Sequence, residues 1–343
     1  MRKPCFENLQ KVLRCEKPSR PTLFEFFLND KLNEQLAKLN QKEGEAPLSG
    51  TRQIVAAFHR AGYDYAFDTG SDFTFSSGEV ARKKSYSIND GSVIWDRESF
   101  CLYSWPEPED FDYSRLEEAK EYLPDGMKLL VSSHFGVLEN AIKLVGYETL
   151  CVMLIDEEEL LGEIFEAIGS RILRHYEICV KYDTVGGFIC ADDWGFNTQT
   201  MLSPDDLRKY VFPWYKKIVE LAHKHNKFAI LHSCGQLKEV MEDIIEDMKF
   251  DGKHSFEDKI EPVEEAYEKW GGRIAILGGI DLDFICRGSL EEIRSRAVDM
   301  LKRSRERGGY ALGTGNSVPD YLPVDHYLEL ISVVTGERLD INI

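Results

Sequence analysis

The sequence predicts an α/β protein folded as a (β/α)8 TIM barrel, and three observations carry that reading. Eight short β-rich runs recur along the 343 residues, each followed by a loop and then a helical pattern. Strands alternating with helices imply a parallel sheet, and eight such units imply its closure into a barrel. The first strand-to-helix turn lacks the glycine-rich dinucleotide fingerprint of a doubly wound sheet, and no linker divides the chain. Residues 1–343 therefore read as one domain.

In chain order, residues 1–20 form an N-terminal helical extension before the first run. The runs are TLFEFF (22–27), YDYAFDT (63–69), KLLVSS (128–133), GGFICAD (186–192), FAILHS (228–233), DGKHSF (251–256), RIAILGG (273–279) and GYALGTG (309–315). Most are short and rich in aliphatic and aromatic residues, as a strand covered on both faces requires, and DGKHSF carries the weakest strand signal of the eight. Among the helices, residues 203–226 open with Ser203 as cap and Pro204 at the first helical position. Residues 289–309 open with Ser289 and Glu292 in capping-box spacing and close on Gly308 and Gly309. One segment breaks the rhythm: residues 83–105 carry an Asn89–Asp90–Gly91 turn between alternating runs, which reads as a β-hairpin inserted after the second strand. The Pro- and acid-rich residues 104–114 read as a surface excursion.

Bulk composition narrows the function classes. With 42 basic and 60 acidic residues the net charge is −18, which opposes non-specific attraction to nucleic acid or an anionic membrane. The start, MRKPCFENLQ, has no apolar signal-peptide core, and no run of about 18 apolar residues suggests a membrane span, so a cytoplasmic protein is expected. Eight cysteines without a CxxC pair or framework spacing fit free thiols in a reducing compartment. The terminal GERLDINI is a candidate homodimer contact.

In a barrel of this kind catalytic groups gather at the C-terminal ends of the strands. Here those ends deliver Asp68, Ser71 and Asp72, then His134, then Asp192 and Asp193, then His232 and Cys234. They continue with His254 and Glu257, then Asp281, then Thr314 and Asn316. Taken singly, Asp281 reads equally as a helix cap, Asp193 as a turn that binds backbone amides, and Asn316 as an Asx-turn. His232 and Cys234 lie two apart on an extended run and point to one side, so both reach a common ion. Zinc takes nitrogen and sulfur donors, and a catalytic site uses three protein ligands. Candidates for the third are Glu257, His254, Asp192 and Cys190, with Glu257 preferred as a carboxylate and Cys190 reading more readily as core. The aromatics Tyr210, Phe212, Trp214 and Tyr215 read as core, whereas Trp194 and Phe196 are placed on a loop at the rim. His223 and His225 close a helix and face solvent or its dipole.

Three stretches, ADDWGFNTQTMLSPDDLRKYVFPWYKKIVELAHKHNKFAILHSCG, LGGIDLDFICRGSLEEI and GGYALGTGNSVPDYLPVDHY, resemble the uroporphyrinogen decarboxylase superfamily. The likeness is strongest from Gly187 to Tyr327, with HSCG followed by GGID as its most specific part, and lies closest to the corrinoid-linked methyltransferase branch. It implies a (β/α)8 barrel by itself. In that branch, zinc is held by His-x-Cys and a distant Cys, and activates a thiol that takes a methyl group from methylcobalamin on a small corrinoid protein. Decarboxylase members need no cofactor and grip an octa-acid substrate with an arginine-rich loop; EKPSRPTLFEFFLND offers only Arg20 there. The distant Cys of the methyltransferases is also missing, because ALGTGNSV places Thr314 at that point.

The function expected is a zinc-dependent methyl transfer between a small substrate or thiol and a corrinoid protein. In it His232, Cys234 and Glu257 hold the metal, while Asp192, Asp193, Asp281 and Asp68 serve catalysis as orienting or acid–base groups. Trp194, His134, Thr314 and Asn316 line the substrate space. Two other readings stand beside it: a decarboxylase acting on a small carboxylate or tetrapyrrole, held by Arg20 or Arg52, and a non-catalytic tetrapyrrole- or corrinoid-binding protein.

Overall fold

The computed structural model describes residues 2–39, 41, 46–78 and 89–339. Seven strands form one parallel sheet in chain order: β1 (Tyr65–Asp68), β2 (Lys128–Val131), β3 (Val185–Ala191), β4 (Phe228–His232), β5 (Gly252–His254), β6 (Ala275–Leu277) and β7 (Tyr310–Ala311). Each answers one of the apolar runs seen in the sequence. Every residue of β3, β4, β5 and β6 is buried, because helices cover one face of the sheet and the opposite face turns inward. Register aligns Ala191 with His232 and His232 with His254, which brings the ends of β3, β4 and β5 level.

The first run departs from expectation. Leu23 and Leu28 make isolated parallel bridges to Leu312 and Val318, but no continuous strand forms between them. The interruption has a local cause, since the Glu25 backbone N–H donates to the Tyr65 hydroxyl at 2.7 Å and the Glu25 carbonyl accepts from the same hydroxyl. Those groups are satisfied across the sheet, so no ladder is needed at Glu25. The stretch links both edges of the sheet, as Thr314 beyond β7 donates to the Glu25 carboxyl while Tyr65 belongs to β1. Phe24 meets both Tyr65 and His254, and Phe26 meets both Phe67 and His232, so the sheet is curled around it.

The expected helix over 289–309 appears as Leu290–Ser304, with reciprocal bonds between Ser289 and Glu292. The helix after Ser203 is broken into Pro204–Asp206, a wide π-turn over Leu207–Val211, and Phe212–Lys224. Pro213 explains the widening, because its ring has no N–H and crowds the carbonyl four residues back. A short helix, Phe6–Leu13, lies within the N-terminal extension.

The hairpin expected over 83–105 is not what forms where the chain is described. Residues 83–88 lie outside the described residues, and the second arm contains the helix Arg97–Leu102. Asp96 accepts from the Ser99 N–H at 2.8 Å, and the Ser99 hydroxyl returns a bond to the Asp96 N–H at 3.0 Å. This capping box outweighs the alternating pattern. Among the described residues no helix is long and apolar enough to cross a membrane.

Candidate metal centre

His232 is the last residue of β4, and Cys234 follows it two positions later. Asp193 sits just beyond β3, so level strand ends bring all three to one point. The ligand atoms of Asp193, His232 and Cys234 lie within 4.8 Å of one another. Cys234 Sγ is 3.9 Å from His232 Nε2, and the Cys234 N–H donates to Asp193 Oδ1 at 2.8 Å. Two further donors face the sulfur, Asn316 Nδ2 at 3.3 Å and Ser255 Oγ at 3.6 Å.

Two glycines make this meeting possible. Gly235 has φ +81°, and a Cβ there would stand 2.3 Å from the Gly195 carbonyl carbon. A Cβ on Gly195 would in turn stand 2.7 Å from the Cys234 carbonyl oxygen. The loops after β3 and β4 therefore touch backbone to backbone, a distance only glycine permits.

Burial and the Asp193 charge push the Cys234 thiol up to about 12, so the sulfur needs a cation to exist as thiolate at neutral pH. Burial holds His232 well below the ordinary histidine range and His254 down to about 3, which keeps both imidazoles neutral and fit to offer lone pairs. Lys253 is buried beside the site with its ammonium on the carbonyls of Ser233 and Ser255 and 4.1 Å above the Phe256 ring. Burial pulls it down to about 8, and an ionised Cys234 sulfur beside it would pull the other way. Half-buried Phe26 covers His232 with ring centres 4.4 Å apart, forming an aromatic wall backed by Phe67 and Phe27. A soft sulfur, an imidazole nitrogen and a carboxylate oxygen, with hydrogen-bond donors trained on the sulfur, suit zinc.

The other sequence candidates are distributed differently. Glu257 is not part of the donor cluster; it lines an adjoining cleft of about 20 Å³ with Ser255, Lys253 and Glu261. Among the described residues the carboxylate within reach of His232 and Cys234 is that of Asp193. His254 is also outside the cluster, with Nδ1 2.8 Å from His232 Nδ1 and Nε2 3.2 Å from the Thr314 carbonyl. Cys190 is buried within β3, where burial pushes its thiol up.

Asp192 turns away from the centre. Its oxygens accept from the N–H groups of Leu138 and Glu139 at 3.0 and 2.9 Å, opening the helix Val137–Val145, and from the Trp194 indole at 2.8 Å. Burial pushes its carboxyl up to about 6 against those donors. Trp194 is fully buried against Phe212 and Tyr215, so it faces the interior and not the rim; Phe196 is the exposed one. Asp281 caps Leu282–Arg287 through the Phe284 N–H and also accepts from the Asp258 N–H.

Asp68, at the end of β1, is buried and takes bonds from Thr51 Oγ1 at 2.5 Å and the Gly70 N–H at 2.6 Å. His134 is exposed after β2, held below its ordinary value by partial burial while Asp72 pulls it up. Thr314 is fully buried with its hydroxyl on Glu25, whereas the Asn316 amide reaches the Cys234 sulfur. The arginines considered for carboxylate binding are engaged: Arg20 with Asp64 at 2.8 Å, and Arg52 with Glu121 at 3.2 Å.

Three residues near the centre escaped the sequence reading. Lys253 had no signal beyond lying in a β-rich run. Glu25 did, as a single charge inside the apolar TLFEFF. Glu139 lies beside both aspartates, whose charges together with burial push its carboxyl up.

A curled parallel sheet of this kind defines an α/β protein with a TIM-like barrel architecture, and at its strand ends a thiol, an imidazole and a carboxylate converge closely enough that they could hold a metal ion. Residues 114–336, roughly two thirds of the chain, match the profile of the uroporphyrinogen decarboxylase (URO-D) family, and the chain belongs to that family. Its fold is similar to that of a methyltransferase from Methanosarcina mazei, with TM-score 0.66 and 15% identity over 96% of this chain and 97% of that one. It is also similar to a Listeria monocytogenes structure described as a candidate vitamin-B12-independent methionine synthase, with TM-score 0.50 and 12% identity over 98% and 97% of the two chains. No curated protein matches the sequence.

Proposed function

We propose that this URO-D family protein is a zinc-dependent methyltransferase that moves a methyl group between a small substrate or thiol and a corrinoid protein. The observation that carries the reading is the convergence of Asp193, His232 and Cys234 within 4.8 Å. The family membership and the likeness to a methyltransferase fold support it.

Zinc bound there supplies Lewis acidity that keeps a thiol ionised at neutral pH. The chain's own residues do the rest. Asn316 and Ser255 orient the Cys234 sulfur, and Asp193 fixes the Cys234 backbone as well as offering a carboxylate oxygen. Phe26, Phe67 and Phe27 shield one side of His232 from water. In this reading the fold is a single closed barrel domain in which Leu23–Leu28 takes the eighth strand place, supported by its bridges to Leu312 and Val318 and by one continuous buried core.

The test is metal analysis of the purified chain and of Asp193→Ala, His232→Ala and Cys234→Ala, followed by loss of methylcobalamin absorbance in the presence of an acceptor thiol. Stoichiometric zinc in wild type, its loss in all three variants and a parallel loss of demethylation are expected. A wild-type protein that takes up no zinc on reconstitution sinks the proposal.

A further inference from the structure

We infer that His254 is a positioning residue that fixes the tautomer of His232, and that the buried Glu25 carboxyl holds, through Thr314, the acceptor on which His254 depends. The inference deepens the proposed metal centre and, for its affinity consequences, rests on that reading.

The argument follows one chain of hydrogen bonds inward from Glu25. Glu25 is fully buried, and its two oxygens receive the Thr314 hydroxyl at 2.6 Å and the Thr314 N–H at 3.2 Å. Both contacts pin Thr314, whose carbonyl faces His254 Nε2 at 3.2 Å. A carbonyl only accepts, so Nε2 carries the hydrogen. His254 is completely buried, and among the described residues no carboxylate bonds it; a neutral imidazole with its hydrogen on Nε2 leaves Nδ1 a bare acceptor.

That acceptor lies 2.8 Å from His232 Nδ1. Two nitrogens bond only if one supplies a hydrogen, so His232 is protonated on Nδ1. Its Nε2 is left as a lone pair, 3.9 Å from the Cys234 sulfur. Were His254 flipped or absent, His232 would be free to place an N–H toward Cys234 and close the site to a cation. Space is reserved for this arrangement, since a Cβ on Gly278 would stand 2.3 Å from the Thr314 carbonyl oxygen and 2.8 Å from His254 Nε2. Thr314 thus belongs to the scaffold of the centre and not to its ligands.

The experiment uses the full chain. In metal-free wild type, long-range nitrogen–proton correlation spectra of the imidazoles should show His232 as the Nδ1–H tautomer; an Nε2–H tautomer overturns the inference without any variant having to fold. Zinc affinity by competition with a chromophoric chelator should fall on the order of 10–100-fold in His254→Leu. It should return to within about threefold of wild type in His254→Asn, whose side-chain oxygen replaces Nδ1 as acceptor, because removing a second partner is what costs affinity. Glu25→Ala should weaken binding in the same direction and Glu25→Gln restore it. Wild-type affinity in His254→Leu overturns the inner link, and wild-type affinity in Glu25→Ala overturns the outer one. A wild type that shows the Nδ1–H tautomer but binds no zinc sustains the inference on hydrogen bonding while refuting the metal reading.

Discussion

Asp192 and Asp193 are neighbours in the chain with opposite roles, and alanine at each position separates them. Asp192 is fully buried and takes three N–H groups, from Leu138, Glu139 and the Trp194 indole, at 2.8 to 3.0 Å. Asp192→Ala strands all three in the interior. A buried donor without a partner costs about 1–3 kcal/mol. Three would cost roughly 3–9 kcal/mol before relaxation, and water entering the space left by the carboxylate brings the expected loss to about 4 kcal/mol. That is a large share of the roughly 5–15 kcal/mol by which a domain is stable. Asp193→Ala removes one acceptor from the half-buried Cys234 N–H, at a cost of about 1 kcal/mol, but takes away a donor of the proposed metal centre. Urea unfolding followed by far-UV circular dichroism, with zinc content measured on the same preparations, reads both effects. The reasoning is refuted if Asp192→Ala lies within about 1 kcal/mol of wild type, or if Asp193→Ala keeps its zinc.

Four further outcomes follow from the geometry. Gly235→Ala forces a Cβ into the Gly195 backbone at positive φ, so a stability loss of about 1–3 kcal/mol together with zinc loss is expected in thermal melts and metal analysis. Ser289→Ala removes a capping box and should cost about 1 kcal/mol in urea titration with zinc binding unchanged. His223 is raised by its bond to Asp251, so the stability of that pair is complete below its ordinary pKa and disappears as pH rises through the folded value. The half-exposed pair is screened, so His223→Gln should trail wild type by less than about 1 kcal/mol near pH 5 and match it near pH 9. Chelation should lower the melting temperature of wild type, because a ligand at about 100 times its dissociation constant contributes about 2.7 kcal/mol, and should leave Cys234→Ala unmoved.

Local chemistry was legible where it acts over a few residues. Apolar runs such as FAILHS become β4 because an aliphatic strand is stable when both faces are covered, and Ser289 with Glu292 starts a helix because the bonds are local. Asp281 turned out to be the cap its position after GGID suggested. The hairpin arm over residues 97–102 failed for the same kind of reason, a local capping box that the alternating pattern concealed.

What the sequence by itself determined is the chain of parallel strands, most of their positions, and the His232–Cys234 pair, since a period of two sends both side chains one way. Tertiary structure alone decided which carboxylate lies within reach of them. Adjacent residues on an extended chain point to opposite sides, so nothing local says whether Asp192 or Asp193 faces the centre. The choice is made by what packs against each side: the open end of the helix Val137–Val145 draws Asp192 outward, and the close approach of Gly195 and Gly235 sets Asp193 beside Cys234. Glu257, His254 and Thr314 were placed by the same rule, their partners being residues far away in sequence that only the curled sheet brings within reach.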